Sequence, residues 1–344
     1  MKIALIHNDL PPYRIDFFNR LNSKYDLEIL LSEKKQKFRN WNSDEFSLNL
    51  NDKCFLKFFG FWLPRIKTIK KFNEKFDAII TIDSLPFILL NSFLLIFFKN
   101  KLIFWSAFHL KKYKNSFLKR ILFLSFFYLF SSRIEKLIAY SEDNYNSLIN
   151  KFNFKNHIYG TQGADYYINS NKSKIIKSKK ILFIGYLRNF PNKGLGLLLE
   201  FIRKNKDYEL GIIGDGPNLI HHKTNFYDLK RIKFYGYLDG TAKTELMKKY
   251  CLLVLPSISF EPWGWVVPEA LSLGLNVLVS DNVMSKEIVK NNLNKHIFKS
   301  GDYNDLEQKI LNYKFLSPVE ISNSVRKYNS KMVLNNFEYL LEKI

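Results

Sequence analysis

Short apolar runs rich in Ile, Leu and Val alternate with stretches of helical periodicity along nearly the whole chain. Residues 2–7, 27–31, 78–82, 102–105 and 136–139 read as strands, the first of them buried, and residues 13–21 as a helix. Ser141, followed by Glu142 and Asp143, marks a helix N-cap with acids in the first turn, where they suit the helix dipole. A second series then begins. Residues 181–184, 210–213, 232–234, 251–255 and 276–280 read as strands, and residues 194–203, 241–250 and 266–273 as helices. Shorter helices are expected near Ser285 and Tyr303, and a last one over about 331–344. This alternation predicts an α/β fold in which parallel sheets are covered by helices on both faces.

The two series are separated by a break. Residues 160–165 (GTQGAD) are loop-like, and residues 169–180 are polar, Lys-rich and end in KSKK. The expected organisation is therefore an N-terminal domain over 1–168, a basic linker over 169–180 and a C-terminal domain over 181–326. A final helix over 327–344 would cross back to the first domain. A chain of 344 residues fits two domains of about 150 residues each.

Two apolar runs, 85–98 and 117–130, fall short of the roughly 18–20 continuous apolar residues that a membrane span needs. They are read as helices of the first domain, with one face partly exposed. The net charge of +21 admits nucleic acid, an anionic membrane surface or an anionic substrate as partner. A composition heavy in Lys, Asn, Ile and Phe is a further source of that charge. Basic clusters at 34–39, 65–75 and 99–120 interleave with aromatic and aliphatic residues and suit a face resting on anionic lipid. Cys54 and Cys251 form no CxxC pattern, and the N-terminus MKIALIHND lacks the shape of a secretion signal. The expected setting is a reducing cytosol, with peripheral contact at the inner face of the cytoplasmic membrane.

Residues 261–269 carry the strongest chemical signal. They follow a strand and a Pro-Ser turn and open a helix, where unpaired amides and the positive end of the dipole favour phosphate. Gly264 would let the backbone approach a diphosphate closely, with the amides of Trp265 and Val266 aimed at it. Glu261 lies in the turn, within reach of sugar hydroxyls. Glu269 lies about one turn into the helix, within reach of two adjacent ribose hydroxyls. Lys193, just before another helix, is disfavoured by that helix's dipole, which points to an anionic ligand.

The run PSISFEPWGWVVPEALSLGLNVLVSD (256–281) resembles the signature of the retaining glycosyltransferases of family 4, the group 1 sugar transferases. The resemblance implies two Rossmann-like domains facing each other across a cleft, the GT-B architecture, with the donor in the C-terminal domain. It implies that Glu261 contacts the donor sugar, that Glu269 binds the ribose and that Lys193 neutralises the diphosphate. The family places an arginine directly after the glycine of its first loop. Tyr186 stands there in this chain, and Arg188 or Arg14 is the candidate replacement. GDGP (214–217) and FYGYLD (234–239) resemble two further landmarks at strand ends, with the backbone of Leu238 a candidate for nucleobase contact. His109 matches a histidine that relatives place near the donor sugar. Residues 7–14 (HNDLPPYR) lack the glycines that many relatives carry there and resemble a subset with a Pro-Tyr-Arg turn.

These implications predict transfer of a sugar from a UDP- or GDP-sugar to a hydroxyl of a glycan or lipid-linked acceptor, in bacterial surface glycan assembly. The leaving diphosphate would assist on the same face, and the scheme calls for no metal and no cofactor beyond the donor. Domain closure would exclude water. The rivals are a nucleotide-sugar epimerase of the same fold and a nucleic-acid-binding protein, although no helix-turn-helix, zinc or RNP-like motif accompanies the charge. A dinucleotide-dependent dehydrogenase is disfavoured, since no GxGxxG follows the first strand.

Overall fold

Strand β1 (Lys2–His7) buries both of its faces: Ala4 and Ile6 enter one apolar core, Ile3 and Leu5 another. A strand covered on both sides reads as an unbroken apolar run, as KIALIH nearly does. The computed structural model describes residues 1–7, 14–31, 55–113, 116–134, 136–152, 154, 156–159, 178–187, 193–226, 230–293, 296–325 and 328–342. They form two units, Met1–Asp165 with Tyr328–Ile344, and Tyr166–Lys327. The loop at 160–165 and the linker residues 169–177 lie outside the described residues, as does the basic cluster at 34–39.

The first unit continues through α1 (Ile15–Lys24), β2 (Asp26–Leu31), a hairpin of β3 (Phe55–Phe58) and β4 (Phe61–Pro64), and α2 (Ile66–Lys75). Then come β5 (Ala78–Ile82), α3 (Ile88–Phe97), β6 (Lys101–Ser106), α4 (Phe117–Phe130), β7 (Lys136–Ala139), α5 (Glu142–Ile149) and β8 (Asn156–Tyr159). The main sheet has the order β2-β1-β5-β6-β7-β8, and every pairing in it is parallel. Successive residues of each strand go to opposite cores: Leu102 and Phe104 to one, Ile103 and Trp105 to the other. Ser141 caps α5 by accepting from the Asn144 amide at 3.1 Å.

The second unit runs β9 (Lys180–Ile184), α6 (Leu195–Lys204), β10 (Glu209–Ile213), α7 (Leu219–Asn225), β11 (Ile232–Gly236), α8 (Gly240–Met247) and β12 (Leu252–Leu255). It ends with α9 (Val266–Ser272), β13 (Asn276–Ser280), α10 (Lys286–Leu293), β14 (Ile297–Phe298), α11 (Tyr303–Leu311) and α12 (Pro318–Val325). Its sheet has the order β11-β10-β9-β12-β13-β14, again with every pairing parallel. The helix expected over 241–250 stops at Met247, where the Lys248 amide closes on the carbonyls of Thr244 and Leu246.

The last helix, α13 (Ser330–Glu342), returns to the first unit. Val333, Phe337 and Leu341 join the α1 side of its core, and the ring of Phe337 lies 5.2 Å from Phe17 and 5.0 Å from Trp105. Each such side chain contributes about 1.5–3 kcal/mol by burial. Lys101 donates to the Leu341 carbonyl at 3.1 Å, placing a cation at the negative end of the helix.

Both sheets contain a topological switch point, where the chain leaves neighbouring strands in opposite directions and a crevice opens at their carboxyl ends. In the first it lies between β1 and β5, and in the second between β9 and β12. At the second, Gly194 has φ +68°, and a Cβ there would sit 1.9 Å from the Pro256 carbonyl oxygen. Only glycine lets the start of α6 rest against the end of β12. Gly194→Ala is expected to lower stability by at least about 2 kcal/mol in urea unfolding. An unchanged midpoint would mean that the start of α6 and the end of β12 do not pack as described.

Candidate active site

The β9–β12 switch point brings together two residues that lie 68 positions apart. The ammonium of Lys193, at the end of the loop after β9, donates to a carboxylate oxygen of Glu261, in the loop after β12. Lys193 precedes a helix start, where the dipole disfavours a cation, and here the carboxylate of Glu261 balances it. The side chains remain 28% and 22% exposed, so the pair can still meet a ligand.

The Glu261 loop is tied down from below. Glu261 bridges Val283 in parallel, its amide donates to the Asn282 carbonyl at 2.9 Å, and its own carbonyl accepts from Met284 at 3.1 Å. Trp263 is buried, and its carbonyl accepts from Ser285 at 2.8 Å. Gly264 has φ +86°, and a Cβ there would lie 2.9 Å from Val283 and 3.1 Å from Leu255. Its need for glycine therefore comes from the backbone and from packing, whatever it does for a ligand. Trp265 caps α9 and Val266 begins it, both half-buried. The Val267 amide closes on the Gly264 carbonyl at 3.0 Å.

Glu269, in the first turn of α9, holds Lys243 through both carboxylate oxygens, at 2.9 and 3.0 Å. The sequence did not single out Lys243, because GTAKTELM reads as an ordinary solvated helix. The pair ties α8, which begins two residues after Leu238, to the start of α9. Leu238 is half-buried beyond the end of β11. GDGP braces the first loop: Leu187 donates to the Asp215 carbonyl at 2.8 Å, and Asn218 to the Leu187 carbonyl at 3.2 Å. Lys193, Glu261 and the 264–269 segment thus share the second unit with Leu238 and Lys243, while His109 belongs to the first unit. Arg188 lies outside the described residues.

The first unit has its own polar cluster at the carboxyl edge of β5 and β6. Asp83, which follows β5, is buried; it accepts from the Ser106 hydroxyl and from the Ala107 amide at 2.9 Å. Ser106 in turn accepts from the Phe108 amide at 3.2 Å, and the side-chain amide of Asn144 donates to the Phe108 carbonyl. These bonds fix the loop that carries His109. His109 is buried, and its Nδ1 accepts from the Lys111 amide at 3.1 Å, which puts the neutral ring's proton on Nε2. Arg14 is only 5% exposed. It bonds His7 Nε2 and, at 2.6 Å, the Tyr140 hydroxyl, and its guanidinium lies 4.5 Å from the Trp105 ring centroid. The alternative in which Arg14 serves as the phosphate arginine meets a side chain already packed within its own unit.

Known proteins share both the sequence of the second unit and the fold of the chain. Residues 168–332 match the family described as Glycosyl transferases group 1. The chain is 27% identical over 128 residues to phosphatidyl-myo-inositol mannosyltransferase of Mycobacterium leprae, covering 36% of this chain and 34% of that protein. It is 31% identical over 122 residues to an uncharacterized glycosyltransferase of Methanocaldococcus jannaschii, covering 34% and 30%. The chain thus spans about a third of the length of these curated relatives. In structure it is similar to the apo form of the lipopolysaccharide outer core galactosyltransferase WaaB, at 18% identity over 99% of both chains with a TM-score of 0.71. It is also similar to Anabaena HepE in complex with UDP-glucose, at 15% identity over 100% of both chains with a TM-score of 0.76. At these identities the likeness shows a common GT-B fold.

Burial pushes the Asp83 carboxyl up from 3.8 to about 6, and the bonds from Ser106 and Ala107 and the charge of Lys112 offset only part of that. The folded carboxyl holds its proton to higher pH than the unfolded one. Its contribution to stability is therefore complete below about pH 4 and lost as the pH rises through about 6, a change on the order of 3 kcal/mol. Asp83→Asn is expected to flatten that decline in chemical unfolding between about pH 4 and 7. Parallel curves for the two proteins would show that Asp83 does not titrate in this window.

Proposed function

We propose, from the premise that residues 168–332 make this chain a group 1 glycosyl transferase, that it moves a sugar from a nucleotide diphosphate sugar to a hydroxyl acceptor with retained configuration. The observation that carries this reading is the Lys193–Glu261 pair at the β9–β12 switch point, where doubly wound folds hold nucleotides. On donor binding, Lys193 turns from Glu261 to the diphosphate, and Glu261 is left to accept hydrogen bonds from the sugar. A carboxylate offers about four acceptor sites, so Glu269 can keep Lys243 and still grip the ribose hydroxyls. Lys243 thereby positions Glu269, while the backbone at Leu238 meets the base. His109 is proposed to donate its Nε2 proton in a hydrogen bond to the sugar.

In this scheme Lys193 and the amides at Trp265 and Val266 take up charge as the sugar–phosphate bond breaks. The released diphosphate oxygen draws the proton from the acceptor hydroxyl on the same face. No second carboxylate is needed as nucleophile, unlike the retaining hydrolases. The scheme also calls for no metal, and transfer is expected to persist in EDTA. HepE, of similar fold, carries UDP-glucose, which favours a UDP-sugar donor. The named relatives WaaB and the M. leprae mannosyltransferase act on lipopolysaccharide and on a phosphatidylinositol, which favours a glycan or lipid-linked acceptor in a bacterial envelope.

Glu261→Ala and Lys193→Ala are each expected to lower kcat by about a hundredfold or more in a donor-turnover assay. Lys243→Met is expected to raise the donor KM about tenfold with a smaller change in kcat, because it acts through ribose binding. Thermal-shift measurements with UDP, GDP and their sugar conjugates should show one base stabilising the protein. Near-normal turnover by both alanine variants, or no shift with any nucleotide, would sink the assignment. Isomerised donor formed without acceptor would point to an epimerase instead.

A further inference from the structure

Among the described residues, the first unit presents an apolar outer layer that no other element covers. At the hairpin tip, Phe58 and Phe59 are 59% and 86% exposed. On α3, Ile96 and Phe97 face solvent. On α4, Phe117, Leu118, Ile121 and Leu122 do so as well, while Phe123, Phe126 and Phe127 fill the core beneath. These elements adjoin one another. β5, β6 and β7 are consecutive and parallel, so right-handed crossovers put α3 and α4 side by side on one sheet face. β4 packs along α3, and Phe55 of β3 enters the same core as Leu94 and Phe123.

The charge of this layer is one-sided. Residues 84–134 contain eight Lys or Arg and no Asp or Glu. Lys119 and Arg120 sit between the exposed Leu118 and Ile121, and Lys57 lies beside Phe58. Among the described residues no helix is long and apolar enough to cross a membrane. A water-facing helix would carry polar residues where α4 carries Phe117, Leu118, Ile121 and Leu122. A second copy of the chain would bring the same positive charge to the contact.

We propose that the hairpin tip and the outer faces of α3 and α4 dock this protein on an anionic lipid bilayer. The rings and aliphatic side chains enter the boundary between headgroups and acyl chains, and the Lys and Arg stems reach back to the phosphates. The docking surface lies in the first unit and does not depend on what the second unit transfers.

The test uses the full chain and sedimentation with two kinds of vesicle, phosphatidylglycerol mixed with phosphatidylcholine, and phosphatidylcholine alone. Binding is expected only to the anionic vesicles, and it should weaken as salt is raised. The variants F58S/F59S, L118S/L122S and K119E/R120E should each lower partitioning about tenfold or more, with melting temperatures unchanged because the side chains are exposed. Trp62, in the same hairpin, gives a readout on the unaltered surface. Acyl chains brominated near the headgroup should quench its emission, seen as the difference between the wild type and W62F. No binding to anionic vesicles, variants that bind like the wild type, or no quenching of Trp62 would each overturn the proposal. So would a concentration-dependent dimer that the same variants abolish.

Discussion

In a sheet whose strands all run parallel, every strand hands over to its following helix at the same edge. That constraint fixes where this molecule can do chemistry. In the second unit, the turns after β9 and β12 are neighbours at that edge, and so the chain places Lys193 beside Glu261 although they are distant in sequence. Gly194 and Gly264 follow from the same demand, because each sits where one turn must rest against another. The backbone supports the site through bonds between residues 185–187 and 213–218, and between residues 261–263 and 282–285. The functional side chains of the two ion pairs remain about a quarter exposed.

The two ion pairs of that edge share a design. Each joins a lysine near a helix start to a glutamate of the 261–269 segment. Together with Lys193 and Lys243 the segment is therefore close to electrically neutral, although the chain as a whole carries +21. Much of the excess positive charge stands elsewhere, and the acid-free stretch from 84 to 134 lies in the first unit. Local and global charge thus have different roles: one organises a site, and the other shapes a surface.

Most strands were legible because burial on both faces leaves an unbroken apolar run. The hairpin was not. FLKFFGFWLP shows no alternation, and its turn passes through Phe59 and Gly60 at φ 45° and 82°, where Asn-Gly would be the usual signal. The segment from Glu261 to Glu269 was readable from its position between a strand and a helix. Lys243 was not, since its importance comes from a contact with a different helix. Asp83 carried a readable signal: an acid placed directly after a strand, AIITI, that is apolar but for Thr81 calls for a buried partner, which proves to be Ser106. The positive φ of Gly264 and its close neighbours could be learned only from the fold.

The position of α13 bears on how the molecule is made. The first unit draws on residues at both ends of the sequence, and the second is a continuous insertion within it. As a chain emerges in order during synthesis, all of the second unit is available before α13 exists. The apolar face of α1, with Phe17 and Phe18, and the exposed side of Trp105 must wait for Phe337 and its neighbours. The unit that starts first is completed last, and its closure joins segments more than 300 positions apart, a pairing of high contact order.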